Sequence, residues 1–195
     1  IKMIEADGRL FVRKMHKEGR KYDAIIMDAY LGGRIPFHLT TRSFFRDLAG
    51  CLAEDGVMAM NVIGGFRGDT SLVFQSIYKT ASEFFPHIML VPTTSFTTSA
   101  ATPSRLQAMH ESSRNIIMVC AASESMAINS ETFRSRIQGR MRRRFFPGFV
   151  RSKLQRYIYN AITVEEMNEK EKKFYEEYSK VSGADAKWPG PIIDP

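Results

Sequence analysis

Cysteine is scarce, with two residues among 195, and tryptophan occurs once. Cys51 sits in AGCLAEDG and Cys120 in NIIMVCAA, apolar surroundings without metal-type spacing. They therefore read as two buried thiols in a reducing, intracellular compartment, and a disulfide framework is excluded. No apolar run reaches the roughly 18 residues that a spanning helix needs. The N-terminus also lacks the layout of a signal peptide. The chain opens on Ile1, which predicts that a preceding segment was removed or is not represented. The expected compartment is thus the cytoplasm or an organelle, mitochondrion or plastid. No G-x-G-x-G run and no internal repeat is found.

What is present is ordinary globular material, 44% hydrophobic and 25% charged, enough for a real core. The net charge of +7 is unevenly spread. Residues 1 to 133 carry 14 basic and 13 acidic side chains, residues 134 to 160 carry 9 and 0, and residues 161 to 195 carry 5 and 8. A near-neutral body precedes a strongly cationic segment and a mildly acidic tail.

Apolar runs alternate with amphipathic stretches, which predicts an α/β domain. Lys2 to Ala6 reads as a strand, followed by a helix burying Leu10, Phe11 and Met15. Ala24 to Met27 is apolar throughout, the pattern of a central parallel strand. Thr40 to Leu52 reads as a helix with Phe44, Phe45, Leu48 and Leu52 inside and Thr40 or Thr41 as cap. Val57 to Val62 is a third strand entered by an Asp55-Gly56 turn. A helix over Thr70 to Phe85 closes at Pro86. His87 to Val91 and Asn115 to Ala121 are two more strands, expected antiparallel, around a Ser/Thr-rich excursion. Beyond residue 125, basic helices are predicted over Ser130 to Phe146 and Phe149 to Tyr159. Thr163 to Val181 follows as a helix with a Thr163/Glu166 capping box, then an extended arm at Trp188-Pro189-Gly190-Pro191.

The series strand, Asp28-Ala29-Tyr30, Gly32-Gly33, Ile35-Pro36-Phe37-His38-Leu39-Thr40-Thr41, helix, Asp55-Gly56-Val57 resembles the spermidine synthase-like branch of the class I methyltransferase fold. The likeness runs from about residue 1 to 122, with PFHLTT its most specific part. It implies a Rossmann-like domain over residues 1–125 holding strands three to seven, followed by a basic helical extension and Pro-rich arm over 126–195. By the resemblance the chain starts at strand three of a sheet ordered 3-2-1-4-5-7-6, so the first strands and the Gly-rich loop are expected in an upstream segment or from another polypeptide, or else the first strand has a new partner in a degenerate sheet. It further implies S-adenosylmethionine or its decarboxylated form as cofactor if the chain is active, and otherwise none. On the same resemblance Asp7 contacts adenine beside Gly8, Asp28 is the acid near the reactive end, and Tyr30, Phe37, His38 and Thr41 shape the acceptor loop.

One departure bears on the reaction. Aminopropyltransferases of this branch carry a second carboxylate three residues after the first, to take a proton from the attacking amine. Position 31 here is Leu, and Tyr30, His38 and Asn61 are weaker substitutes. Two functions follow as expectations: the C-terminal part of an aminopropyl- or methyltransferase, or a catalytically inactive assembly subunit docked through its basic segment. In that segment Arg140, Arg142, Arg143, Arg144, Arg151 and Arg156 are interleaved with aromatics, which suits RNA, an acidic protein partner or an anionic lipid surface. A protein complex is the expected association, with RNA and a homo-oligomer as alternatives.

Overall fold

Four apolar stretches pair into one sheet: β1 (Tyr22–Met27), β2 (Leu52–Gly64), β3 (His87–Pro92) and β4 (Arg114–Ala121). Their order is β1-β2-β4-β3. This is the order 4-5-7-6 that the family resemblance implies for these runs. The structure, a computed structural model, describes residues 2–93, 102–123, 129–143, 152, 155 and 157–193. The helices are α1 (Gly8–Lys17), α2 (Arg42–Cys51), α3 (Leu72–Ser82), α4 (Pro103–Glu111), α5 (Ser130–Arg143) and α6 (Val164–Ser182). Two compact units result, residues 1–62, 76–88 and 118–127, and residues 63–75, 89–117 and 128–195.

In the first unit, β1 and β2 run parallel from Tyr22↔Leu52 to Met27↔Met60. The register jumps between Tyr22 and Ala24, because Ala24 pairs with Val57. The Asp55-Gly56 pair expected as a turn is therefore a bulged stretch inside β2. A Cβ on Gly56 would lie 2.8 Å from the Tyr22 carbonyl oxygen, so glycine permits this close approach. Phe44, Phe45, Leu48 and Leu52 are buried as expected, and Phe45 meets Phe85 edge-to-face with ring centroids 6.4 Å apart. Both cysteines are buried and unbridged. Burial raises both thiol pKa values, that of Cys120 to about 12, which keeps them protonated and unreactive.

Three expectations for this unit are corrected. Residues 2–6 form no strand, and Met3 and Ile4 are exposed; a strand needs a paired neighbour, and none of the described residues supplies one. Among the described residues the Ala24–Met27 run lies in an edge strand rather than a central one, and Ile26 is 81% exposed. No residue of α1 is buried. Leu10, Phe11 and Met15 instead line an open groove shared with Ile4 and Tyr22.

In the second unit, Thr93 N–H donates to the Asn115 carbonyl at 2.9 Å. The end of β3 thus lies beside the start of β4, the antiparallel arrangement expected. The excursion between them contains α4, capped by the Thr102 hydroxyl, a helix that its Ser/Thr content hid. Residues 163–193 pack into this unit. Thr163 and Glu166 make the reciprocal capping box, and Tyr175, Phe174, Ala186 and Trp188 close over Leu106 and Met109. Gly65 is required here by space, since a Cβ would come 2.9 Å from the His110 carbonyl oxygen.

A buried charged cluster ties the unit together. Arg67 grips Glu171 with both arms, Nε to Oε1 at 3.0 Å and Nη2 to Oε2 at 2.7 Å, and also donates to the Gly190 carbonyl at 2.5 Å. His110 Nδ1 is 3.7 Å from Glu171 Oε1, and both side chains are 1% exposed. Burial first, then Arg67 and Arg114, lowers the His110 pKa to about 3. The nearby carboxylate pulls the other way but is already neutralised by Arg67, so His110 is neutral at physiological pH. An unfolded histidine titrates near 6.5. The stabilisation from a neutral His110 is therefore complete above pH 6.5 and is lost as pH falls toward 3. Urea unfolding between pH 7 and 4 should show a slope approaching about 1.4 kcal/mol per pH unit. His110→Gln should flatten that slope; an unchanged pH profile in the variant would contradict the assignment.

Candidate functional site

Two clusters of the sequence-predicted residues form in the first unit. One is built around the N-terminus of α1. Asp7 is the N-cap, its Oδ1 accepting from the Leu10 backbone N–H at 2.9 Å, which stabilises the first turn. Its Oδ2 lies 3.7 Å from His38 Nε2. Gly8 opens the helix, and a Cβ there would meet Leu39 at 3.8 Å, an ordinary contact. Packing alone does not demand glycine at that position.

Arg9 organises the loop opposite. Its guanidinium donates to the His38 carbonyl at 2.9 Å, Thr41 Oγ1 at 2.7 Å and Ser43 Oγ at 2.6 Å. Thr41 is the N-cap of α2 but makes no side-chain cap bond, because its hydroxyl is engaged by Arg9. The loop turns through a short 3-10 segment, Phe37–Leu39, with Leu39 buried as its anchor and Phe37 81% exposed. Phe37 and His38 meet edge-to-face at 6.0 Å. Arg9 and Ser43 were not foreseen as site residues. Their only sequence signal was adjacency, Arg9 to Asp7-Gly8 and Ser43 to the PFHLTT stretch.

The second cluster lies just past the carboxyl end of β1, beside Asn61 near the end of β2. The Met27↔Met60 pair brings the next residues, Asp28 and Asn61, side by side. Asn61 Nδ2 donates to Asp28 Oδ1 at 3.1 Å, and the Tyr30 hydroxyl donates to the Asn61 carbonyl at 2.9 Å. The bond to a carboxylate fixes the amide orientation, since only its nitrogen can donate. Asn61 Oδ1 is then left buried without a hydrogen-bond partner among the described residues. An exposed carboxylate and an orphaned carbonyl oxygen stand next to each other, two acceptors that suit a ligand N–H or ammonium group.

Leu31 follows on a tight hairpin. Leu31 and Arg34 exchange backbone hydrogen bonds at 2.8 and 3.2 Å, and Gly32 and Gly33 both take positive φ, 57° and 79°. A two-residue turn of this hand favours glycine at both positions. Leu31 is 78% exposed, so an apolar side chain is presented at the position where a second carboxylate was sought.

The basic segment is seen only in part. Arg140, Arg142 and Arg143 lie on the α5 backbone, but their side chains, and Arg144, Arg151 and Arg156 entirely, are outside the described residues. Arg134 is described and turned inward, donating to the Ala161 carbonyl at 2.6 Å beneath the Tyr159 ring. No described helix is long and apolar enough to cross a membrane.

Ligands of open parallel sheets bind outside the carboxyl ends of the strands, where Asp28 is found, next to Asn61 of β2. Among solved structures, human methyltransferase-like protein 13 in complex with SAH aligns with TM-score 0.50 and 17% identity over 78% of this chain and 65% of that one. The chain thus has the Rossmann-like α/β fold of that methyltransferase-like protein. Thermotoga maritima spermidine synthase aligns with this methyltransferase-like fold at TM-score 0.43 and 19% identity, over 78% of the chain and 49% of the enzyme. In sequence, 55 residues are 38% identical to a polyamine aminopropyltransferase of Vibrio vulnificus, covering 28% of the chain and 18% of that protein. A further 31% identity over 133 residues links the chain to an N-terminal histidine N-methyltransferase of Emericella nidulans, over 67% of the chain and 21% of that protein. The chain thus spans about a fifth of the length of these curated relatives. No family model matches it.

Proposed function

We propose that the chain forms part of a transferase that uses S-adenosylmethionine or its decarboxylated form and delivers the transferred group to a nitrogen. The observation that carries this reading is the Asp28 carboxylate beside the orphaned Asn61 Oδ1. Both are acceptors, and an amine or ring N–H satisfies both. Asp7 keeps Oδ2 free of the helix cap, so it can accept from an adenine amino group while Oδ1 still holds α1. These residues fit the nitrogen-bearing ends of such a cofactor and acceptor. When bound, the cofactor supplies an electrophilic carbon attached to sulfur.

The chain's own residues then orient the acceptor and manage its proton. Asp28, held by Asn61, would accept a hydrogen bond from the acceptor nitrogen and take its proton, while the bound cofactor would supply the carbon and release its sulfur as a neutral thioether when the carbon–sulfur bond breaks. Tyr30 fixes the Asn61 backbone through its hydroxyl. Phe37 and His38, carried on the loop pinned by Arg9, flank the acceptor's approach. Leu31 favours methyl over aminopropyl transfer, because a polyamine acceptor carries charges that an apolar side chain does not recognise. The longer sequence match to an N-methyltransferase supports the same choice. Incubating the full-length protein with peptide and amine acceptors and either cofactor form tests this. Methyl label should move to nitrogen from S-adenosylmethionine, whereas label moving only from the decarboxylated form would reverse the choice.

A further inference from the structure

A second site, distinct from the Asp28 cluster, is formed where α1 and α2 face each other. The cleft encloses about 510 Å³, within the range of small-molecule pockets. Arg9, Arg13 and Lys17 come from one stripe of α1 and Arg46 from α2, against a single carboxylate, Asp47. Asp47 is buried and already shared, 3.1 Å from His16 Nδ1 and 3.7 Å from Arg46 Nε. Among the described residues, Arg13 and Lys17 form no salt bridge.

This charge arrangement works against the helix that carries it. Residues 9, 13 and 17 are spaced i, i+4, i+8, so like charges stack about 6 Å apart and repel. Arg9 also stands in the first turn, which contains no acidic residue, where the helix dipole favours anions. One of these cations is held in place. Arg9 is fixed by three oxygen acceptors, and His16 packs on Gly50 so closely that a Cβ there would lie 2.6 Å from its ring carbon. Four cations around one cleft, one of them fixed, suit a compact polyanion. No aromatic side chain other than His16 lines the cleft, which leaves phosphates, rather than stacked bases, as the groups recognised.

We propose that the α1–α2 cleft binds a small ligand carrying two or more phosphate groups. The probe is sodium pyrophosphate, titrated calorimetrically into the full-length protein at constant ionic strength, with orthophosphate and a short oligouridylate as comparisons. Saturable binding of pyrophosphate is expected, at least about tenfold tighter than orthophosphate. The exposed pair R13A/K17A should weaken it by about tenfold or more with unchanged circular dichroism, and R13K/K17R should restore most of it. R142A/R143A/R144A should leave it unaltered. Absence of saturable binding, equal binding by R13A/K17A, loss on changing the 142–144 cations, or tighter binding of the oligouridylate through this cleft each overturns the proposal.

Discussion

Glu171→Ala is expected to lower the stability of the protein by about 3–5 kcal/mol. Glu171 is fully buried, and among the described residues its carboxylate is the only charge that pairs with the Arg67 guanidinium, itself 13% exposed. Removing the acid leaves that cation in a low-dielectric site with only the Gly190 carbonyl to solvate it. The effect is far larger than for an exposed pair such as Lys173–Glu177, where about 0.3–0.5 kcal/mol is usual. Replacing both partners by apolar residues, Arg67→Met with Glu171→Leu, should cost much less than Glu171→Ala alone, because no unpaired charge remains. Chemical denaturation of the three proteins measures this directly. A single variant within about 0.5 kcal/mol of wild type would show that the cluster is solvated and that residues 163–193 are held by apolar packing alone.

Asp28→Asn should reduce the rate of transfer about 10²–10⁴-fold, the usual scale for losing a positioned acid or base. The side chain is exposed and its one hydrogen bond, to Asn61, joins an amide to a carboxylate. Stability should therefore change by no more than about 0.5 kcal/mol. Cofactor affinity should be little altered, since Asp28 is assigned to the acceptor's proton. Full activity in Asp28→Asn would remove this residue from the chemistry.

Local patterns were the legible part of this molecule. The capping box at Thr163 and Glu166, the inner face of α2 and the strands from β1 to β4 all follow from residues within a turn or two of each other. The resemblance then supplied the strand order, which periodicity cannot. Edges were the illegible part. Met27 and its neighbours read as central because both faces are apolar, yet whether a strand has one neighbour or two depends on segments far away. Lys2 to Ala6 has strand character without a partner, so it forms no strand. The Arg67–Glu171 pair spans 104 residues, and nothing in either local sequence marks those two among 28 basic and 21 acidic residues. At the candidate site, the structure adds a helix-cap role to Asp7. Arg9, which holds the PFHLTT loop, was visible only as the residue after Asp7-Gly8.

The most direct measurement is calorimetric binding of S-adenosylmethionine to the full-length protein and to its Asp7→Ser variant. Serine preserves the helix cap while removing the carboxylate, so folding and recognition are separated. Saturable binding to the wild type, weakened about tenfold or more in Asp7→Ser, is the expected result, the scale of one lost charge-assisted hydrogen bond. Failure of the full-length protein to bind either S-adenosylmethionine or its decarboxylated form would contradict the assignment of this chain to a cofactor-dependent transferase.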